Sequence, residues 1–312
     1  MSASAKPTEK LFKSFLAAVL AISLCPLMPA DKAQAEEAEV SADAAQMSDE
    51  GLGGDADPTE GALAADGSDA DSELAGENDG AEDESATDDS DVALQAASDS
   101  GTPIVNWTEC GTCQWMIDSN GCLIIEPQSG ESGELENWVW TAPWSNYKNS
   151  IISVTINKTV IAKTASSAFD DCKSLRSVDL SGLDTSKVTS MDSMFRDCPS
   201  LSSLDLSGLD TSSATSMRCM FSDCSSLSSL DLSGLDASKV IDMASMFSGC
   251  SKLASLDLSS FDASNVTDMS YMFWFCQSLS SLDLSGLDTS NVTDMASMFC
   301  FCQSLSSLLA RP

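Results

Sequence analysis

The 312-residue chain contains no histidine, only 15 lysines and arginines, and 6% aromatic side chains. Each shortage excludes something. Without histidine there is no Ser-His or Cys-His nucleophile and no histidine metal ligand. Fifteen basic residues against 48 acidic ones leave a net charge of −33. That excludes nucleic acid as a natural partner, because phosphate contacts need clustered Lys and Arg. No long hydrophobic run is present either. The apolar stretch from Phe15 to Leu27 falls short of the roughly 20 residues that span a bilayer as a helix.

The charge is unevenly placed. Residues 1–35 carry four lysines and two acids, residues 36–100 carry 22 acids and no base, and residues 101–312 carry 24 acids and 11 bases. The first segment has the form of a secretory signal peptide. Lys6, Lys10 and Lys13 precede the apolar run, and Ala33-Gln34-Ala35 supplies a small-x-small cleavage pattern. Export with cleavage after Ala35 is the expectation, so a membrane is met only during export. Residues 36–103 are chiefly Ala, Asp, Glu, Gly and Ser, and up to residue 100 lack any aromatic or basic residue. Such a composition cannot bury enough apolar area to offset its ordering entropy, and predicts a disordered acidic stalk.

From Leu175 the sequence repeats at a fixed interval, with units starting at Leu175, Leu201, Leu227, Leu253 and Leu279 and a partial unit over 305–312. Segment 149–174 is a divergent earlier unit, since Phe169 and Cys172 stand one full period before Phe195 and Cys198. A fixed period of this size means a solenoid whose units stack on their neighbours. In the unit from Leu201, Leu204-Asp205-Leu206 alternates with period two and predicts a short strand, leucines inward and aspartate outward. Met217, Met220, Phe221 and Cys224 fall at i, i+3, i+4 and i+7 and predict a short helix. The expected fold is therefore α/β: an open, leucine-rich-repeat-like solenoid over 149–312, preceded by a small β-rich module over 104–148. In that module Asp118-Ser119-Asn120-Gly121 predicts a β-hairpin turn.

The unit LSSLDLSGLDTSNVTDMASMFCFCQS closely resembles the 26-residue repeat of BspA-like leucine-rich-repeat bacterial surface proteins. The preceding CGTCQWMIDSNGCLIIEPQSG and APWSNYKNSIISVTI resemble the short module that often leads into such arrays. The resemblance implies a secreted or surface-displayed protein that binds other macromolecules, host extracellular or cell-surface proteins above all, and that has no catalytic mechanism or cofactor. A structural alternative is a spacer or assembly subunit that self-associates through its C-terminal repeat.

The candidate ligand-binding residues are the outward aspartates Asp179, Asp205, Asp231, Asp257 and Asp283. Stacked like charges cost energy unless a cation or partner compensates, so this column either takes cationic protein segments or calcium or is a soluble edge residue copied with the repeat. Tyr271 and Trp274 add aromatics to the array and are candidates for an interface, with local packing against the next turn as the alternative. Cys172, Cys198, Cys224, Cys250, Cys276 and Cys302 form a buried thiol column, while Cys219 and Cys300 break the pattern and are expected at the surface. Cys110, Cys113 and Cys122 supply three thiols where zinc needs four ligands. One disulfide joining Cys122 to Cys110 or Cys113 is expected instead, and no metal or catalytic site is assigned.

Overall fold

The computed structural model describes residues 102–138, 141–285 and 287–309. The signal peptide, its cleavage site and nearly all of the acidic stalk lie outside the described residues. The first elements are β1 (Val105–Cys110), β2 (Cys113–Ile117) and β3 (Cys122–Pro127), an antiparallel meander. The expected hairpin between β2 and β3 is present. The Asp118 carboxylate accepts the N–H groups of Asn120 and Cys122 at 2.9 and 2.8 Å. Gly121 completes the turn with φ +79°, a conformation glycine adopts without a Cβ clash.

Parallel stacking begins within the 104–148 segment. After β4 (Ser132–Glu134) and a short 3-10 helix at Ser145–Ser150, the chain lays down β5 (Ser153–Ile156) and β6 (Thr159–Ile161). β5 pairs in parallel with β3 and β6 with β4, so the first coil rests directly on the meander. β7 (Ser177–Asp179) and β8 (Leu183–Asp184) extend the same two ladders. At the far end β9 (Ser281–Asp283) pairs in parallel with β10 (Ser307–Leu309). The result is a β-solenoid with very little helix.

The helix expected in each unit does not form, and no α-helix occurs among the described residues. The segment that contains Met217, Met220, Phe221 and Cys224 is instead a run of tight turns. Met220, Ser222 and Cys224 donate to the carbonyls three residues back, at 3.1–3.2 Å. The alternate amides of Met217, Cys219, Phe221 and Asp223 donate one coil onward, to Asp242, Ala244, Met246 and Ser248, at 2.7–3.0 Å. Cys219 and Asp223 adopt φ of +54° and +60°, and residues at the same two positions do so in every unit. A left-handed residue every fourth position swings alternate N–H groups out of the turn toward the neighbouring coil, which an α-helix cannot do. The inward spacing i, i+3, i+4, i+7 is the same for both conformations.

This lacing is one-sided. The Met–Phe seam is bonded from coil to coil throughout, whereas on the Leu-Asp-Leu side regular strand pairing appears only near the two ends of the array. Between the sides lies a single hydrophobic core. Phe169, Phe195, Phe221, Phe247, Phe273 and Phe299 stack with centroids 5.4–6.0 Å apart and interplanar angles of 1–22°. Trp144 continues the stack below Phe169 at 6.2 Å, and its Nε1–H donates to the Ala168 carbonyl at 2.7 Å. Offset parallel rings at this separation attract beyond the value of the area they bury.

Five cysteines of the buried column each have a specific partner. The thiols of Cys198, Cys224, Cys250, Cys276 and Cys302 donate to the carbonyls of Phe169, Phe195, Phe221, Phe247 and Phe273 at 3.0–3.2 Å. A residue at this place must be small, apolar and yet offer one donor, which describes a neutral thiol. Burial pushes Cys172 and Cys302 up to about 12, so both stay protonated.

Candidate functional site: the aspartate face

Asp179, Asp205, Asp231, Asp257 and Asp283 are all exposed on the Leu-Asp-Leu side, each between two inward apolar residues, Val178 and Leu180 at Asp179 and leucines at the other four. Asp257 and Asp283 face one another across a parallel bridge. Each carboxylate accepts the backbone N–H two residues on, from Ser181, Ser207, Ser233, Ser259 and Ser285, at 2.7–3.0 Å. The bond closes the bend that ends each strand position.

These bonds settle how a line of like charges is tolerated. Hydrogen bonds from Ser207, Ser233 and Ser259 hold Asp205, Asp231 and Asp257 below the usual carboxylate range. Bonds from Ser181 do the same for Asp179. Repulsion from the neighbouring aspartate opposes this at Asp179, Asp205 and Asp257 and is the weaker effect. Hydrogen bonds from the serine two residues on, by hydroxyl and amide both, therefore outweigh the mutual repulsion at Asp179, Asp205 and Asp257.

A second column was not singled out in the sequence as a set. Asp184, Asp210, Asp236, Asp262 and Asp288 accept the N–H groups of Ser186, Ser212, Ser238, Ser264 and Ser290 at 2.9–3.0 Å. The D-x-S spacing that marks the first column marks this one as well. Among the described residues, no group of three or more Cys, Asp or Glu is placed to hold a metal ion.

A third acidic group is partly buried and was missed. Asp171, Asp197 and Asp223 occupy the second left-handed position of successive units. Burial pushes Asp171 up, but hydrogen bonds from Lys148 and Asp197 and the nearby Lys173 bring it below its ordinary value. Burial, then the bond shared with Asp171, raises Asp197. Burial raises Asp223 to about 6, opposed by its Ser222 partner and by Arg196. Arg196 is held in turn by a two-pronged pair with Asp170 at 2.8 and 3.0 Å.

The aromatic expectation needs correction. Trp274 is 3% exposed and packs against Phe275 and Phe301, while Tyr271 is half-buried. Trp274 therefore completes local packing and presents no interface ring. The large apolar side chains at the surface are others, among them Trp107, Tyr147 and Ile241. Cys219, expected at the surface, is buried.

The structure does not join Cys122 to Cys110 or Cys113. Cys113 lies opposite Pro127, whereas Cys122 stands at the other end of β3. That separation is roughly 16 Å along a strand, against a disulfide window of about 4.4–6.8 Å between Cα atoms. Cys122 also faces the other side of the sheet, where its sulfur meets Thr155 Oγ1 at 3.6 Å.

The fold and the exposed, evenly repeated face define a leucine-rich-repeat-like solenoid. Residues 163–281 and 226–310 match a family described as "Mycoplasma protein of unknown function, DUF285", a match confined to the repeat array. Among solved structures, a leucine-rich repeat protein from Eubacterium ventriosum ATCC 27560 is 15% identical with a TM-score of 0.23, covering 64% of this chain and 82% of that one. A leucine-rich repeat protein from Bacteroides ovatus ATCC 8483 is 13% identical with a TM-score of 0.24, covering 66% and 75%. No curated protein matches the chain.

Proposed function

We propose that the chain is an exported, surface-displayed or secreted protein of the BspA-like type. On this reading its solenoid binds other proteins through the aspartate face. One observation carries it: five exposed carboxylates repeat in register on one side, each fixed by a backbone amide. A line of anions in register is complementary to a segment rich in lysine and arginine, and such complementarity governs encounter rate and selectivity. Export is supported by the lysines, apolar run and Ala33-Gln34-Ala35 near the start of the chain. Secreted protein is accordingly expected to begin at Glu36 on N-terminal sequencing.

The deciding experiment replaces all five aspartates by asparagine. Asparagine keeps an oxygen for the turn and removes the charge. Binding to a panel of immobilised extracellular proteins should weaken at least tenfold, or about 1.4 kcal/mol, and wild-type binding should weaken with salt. Full affinity in the folded variant would show that this face is not the site. Solution mass across a concentration range separates partner binding from self-association.

A further inference from the structure

The β1–β2 turn brings two thiols together that the sequence alone had assigned elsewhere. Cys110 and Cys113 are directly opposed Cα partners, the pair that closes the turn. Opposed residues of an antiparallel pair put their side chains on the same face, with Cα atoms about 4.5–5.5 Å apart. This lies inside the disulfide window. Both residues are buried, at 2% and 0% exposure.

The turn is also clamped, which fixes their separation. Gly111 has φ +67°, as the first residue of such a two-residue loop requires. Thr112 N–H donates to the Glu134 carbonyl at 2.9 Å, and Glu134 N–H donates back to Thr112 Oγ1 at 2.7 Å. Gln128 holds the loop from the other side, its Nε2 donating to the Cys113 carbonyl at 3.0 Å. A Cβ on Gly133 would come within 2.9 Å of the Cys113 sulfur, so β4 closes directly over the pair.

We propose that Cys110 and Cys113 form an intramolecular disulfide that locks the first turn of the solenoid cap. The step is thiol–disulfide exchange with a small-molecule disulfide. One cysteine thiolate attacks the external disulfide and releases a thiol, and the second thiolate then displaces the other half. Two protein S–H bonds and one external S–S bond are exchanged for one protein S–S bond and two external thiols. The bond has a structural role, not a catalytic one. The pair lies in a β-turn and not at a helix N-terminus, so nothing favours the thiolate. Burial, then Cys110 and Glu134, instead hold the Cys113 thiol up at about 11. Exchange therefore belongs to folding, before β4 covers the turn, and the finished bond resists reductant.

The test refolds the full chain from the reduced, denatured state in a buffer of oxidised and reduced glutathione. Free thiols are then alkylated under denaturing conditions, and the peptides are mapped by mass. The peptide spanning Cys110 and Cys113 should be lighter by two hydrogens and unalkylated, in the wild type and in Cys122→Ser alike. In Cys113→Ser the bond should be lost, with Cys110 recovered as a free or glutathione-capped thiol. Recovery of both cysteines separately alkylated in the wild type, or of either bonded to Cys122, would overturn the assignment. The outcome is independent of whether the aspartate face binds a partner.

Discussion

Asp223 shows what one residue contributes to this architecture. Its carboxyl is buried between Arg196 and Asp197 of one coil and Gly249 of the next, and burial raises it to about 6. The unfolded value is 3.8. The folded state therefore favours the protonated form. This contribution is complete below about pH 4 and is lost as pH rises through about 6. Asp223→Asn should stabilise the protein by up to about 3 kcal/mol near pH 7.5 and by little near pH 4. Equal shifts at both pH values in thermal unfolding would rule this out. The signal was in the sequence only as an aspartate one period after Asp197. Its burial depends on a left-handed backbone that residue type alone does not announce. Asp205 is the opposite case. Its place between two inward leucines was legible from period two, because a strand-like alternation leaves it no other side.

At the scale of one element, the inward columns were readable and the backbone beneath them was not. Phe221 and its counterparts, the methionines and the cysteines all point into the core as their spacing required. That spacing suits a helix and a run of left-handed turns equally, so the Met–Phe segment was misassigned. Trp144 escaped notice because it stands one position short of a full period before Phe169. Phe221→Ala, in the middle of the stack, should cost about 3–5 kcal/mol in chemical denaturation, and a loss under about 1 kcal/mol would argue that the rings do not pack as described. Glycine gives a sharper comparison. A Cβ on Gly182 would lie 2.4 Å from the carbonyl oxygens of Ile156 and Lys158, whereas one on Gly234 would meet nothing closer than 4.0 Å. Ser260 occupies the same position one unit on. Gly182→Ala should destabilise by about 1–3 kcal/mol, and Gly234→Ala should be neutral or stabilising by about 0.5 kcal/mol. Equal effects would show that coil spacing does not differ between the two places.

For the whole molecule, the regular period established a solenoid, and the aspartate face followed from it. The junction with the cap did not follow, because 122–161 forms parallel ladders without the leucine pattern of later units. Ladder pairing there is carried by Leu123, Ile125, Val154 and Ile156, an alternation too short to separate from an ordinary strand pair. The one-sided lacing predicts an asymmetric exchange profile. Amides of Phe195, Phe221 and Phe247, each bonded to the next coil, should be the slowest to exchange with deuterium. Amides near Leu204 and Leu230 should exchange faster by several orders of magnitude. Uniform protection of both sides would contradict the hydrogen-bond pattern.

That asymmetry has a mechanical consequence. A stack stitched along one edge behaves as a hinged fan. Spreading its looser edge strains few backbone hydrogen bonds through the middle units, such as Ala254 to Ser228 at 3.3 Å, while spreading the stitched edge breaks several at once. The carboxylates of the middle units ride on that looser edge, so their pitch follows the curvature of the stack more than that of Asp257 and Asp283, which a bridge holds together. Bending the solenoid therefore changes the spacing of these carboxylates, with the phenylalanine seam as its pivot.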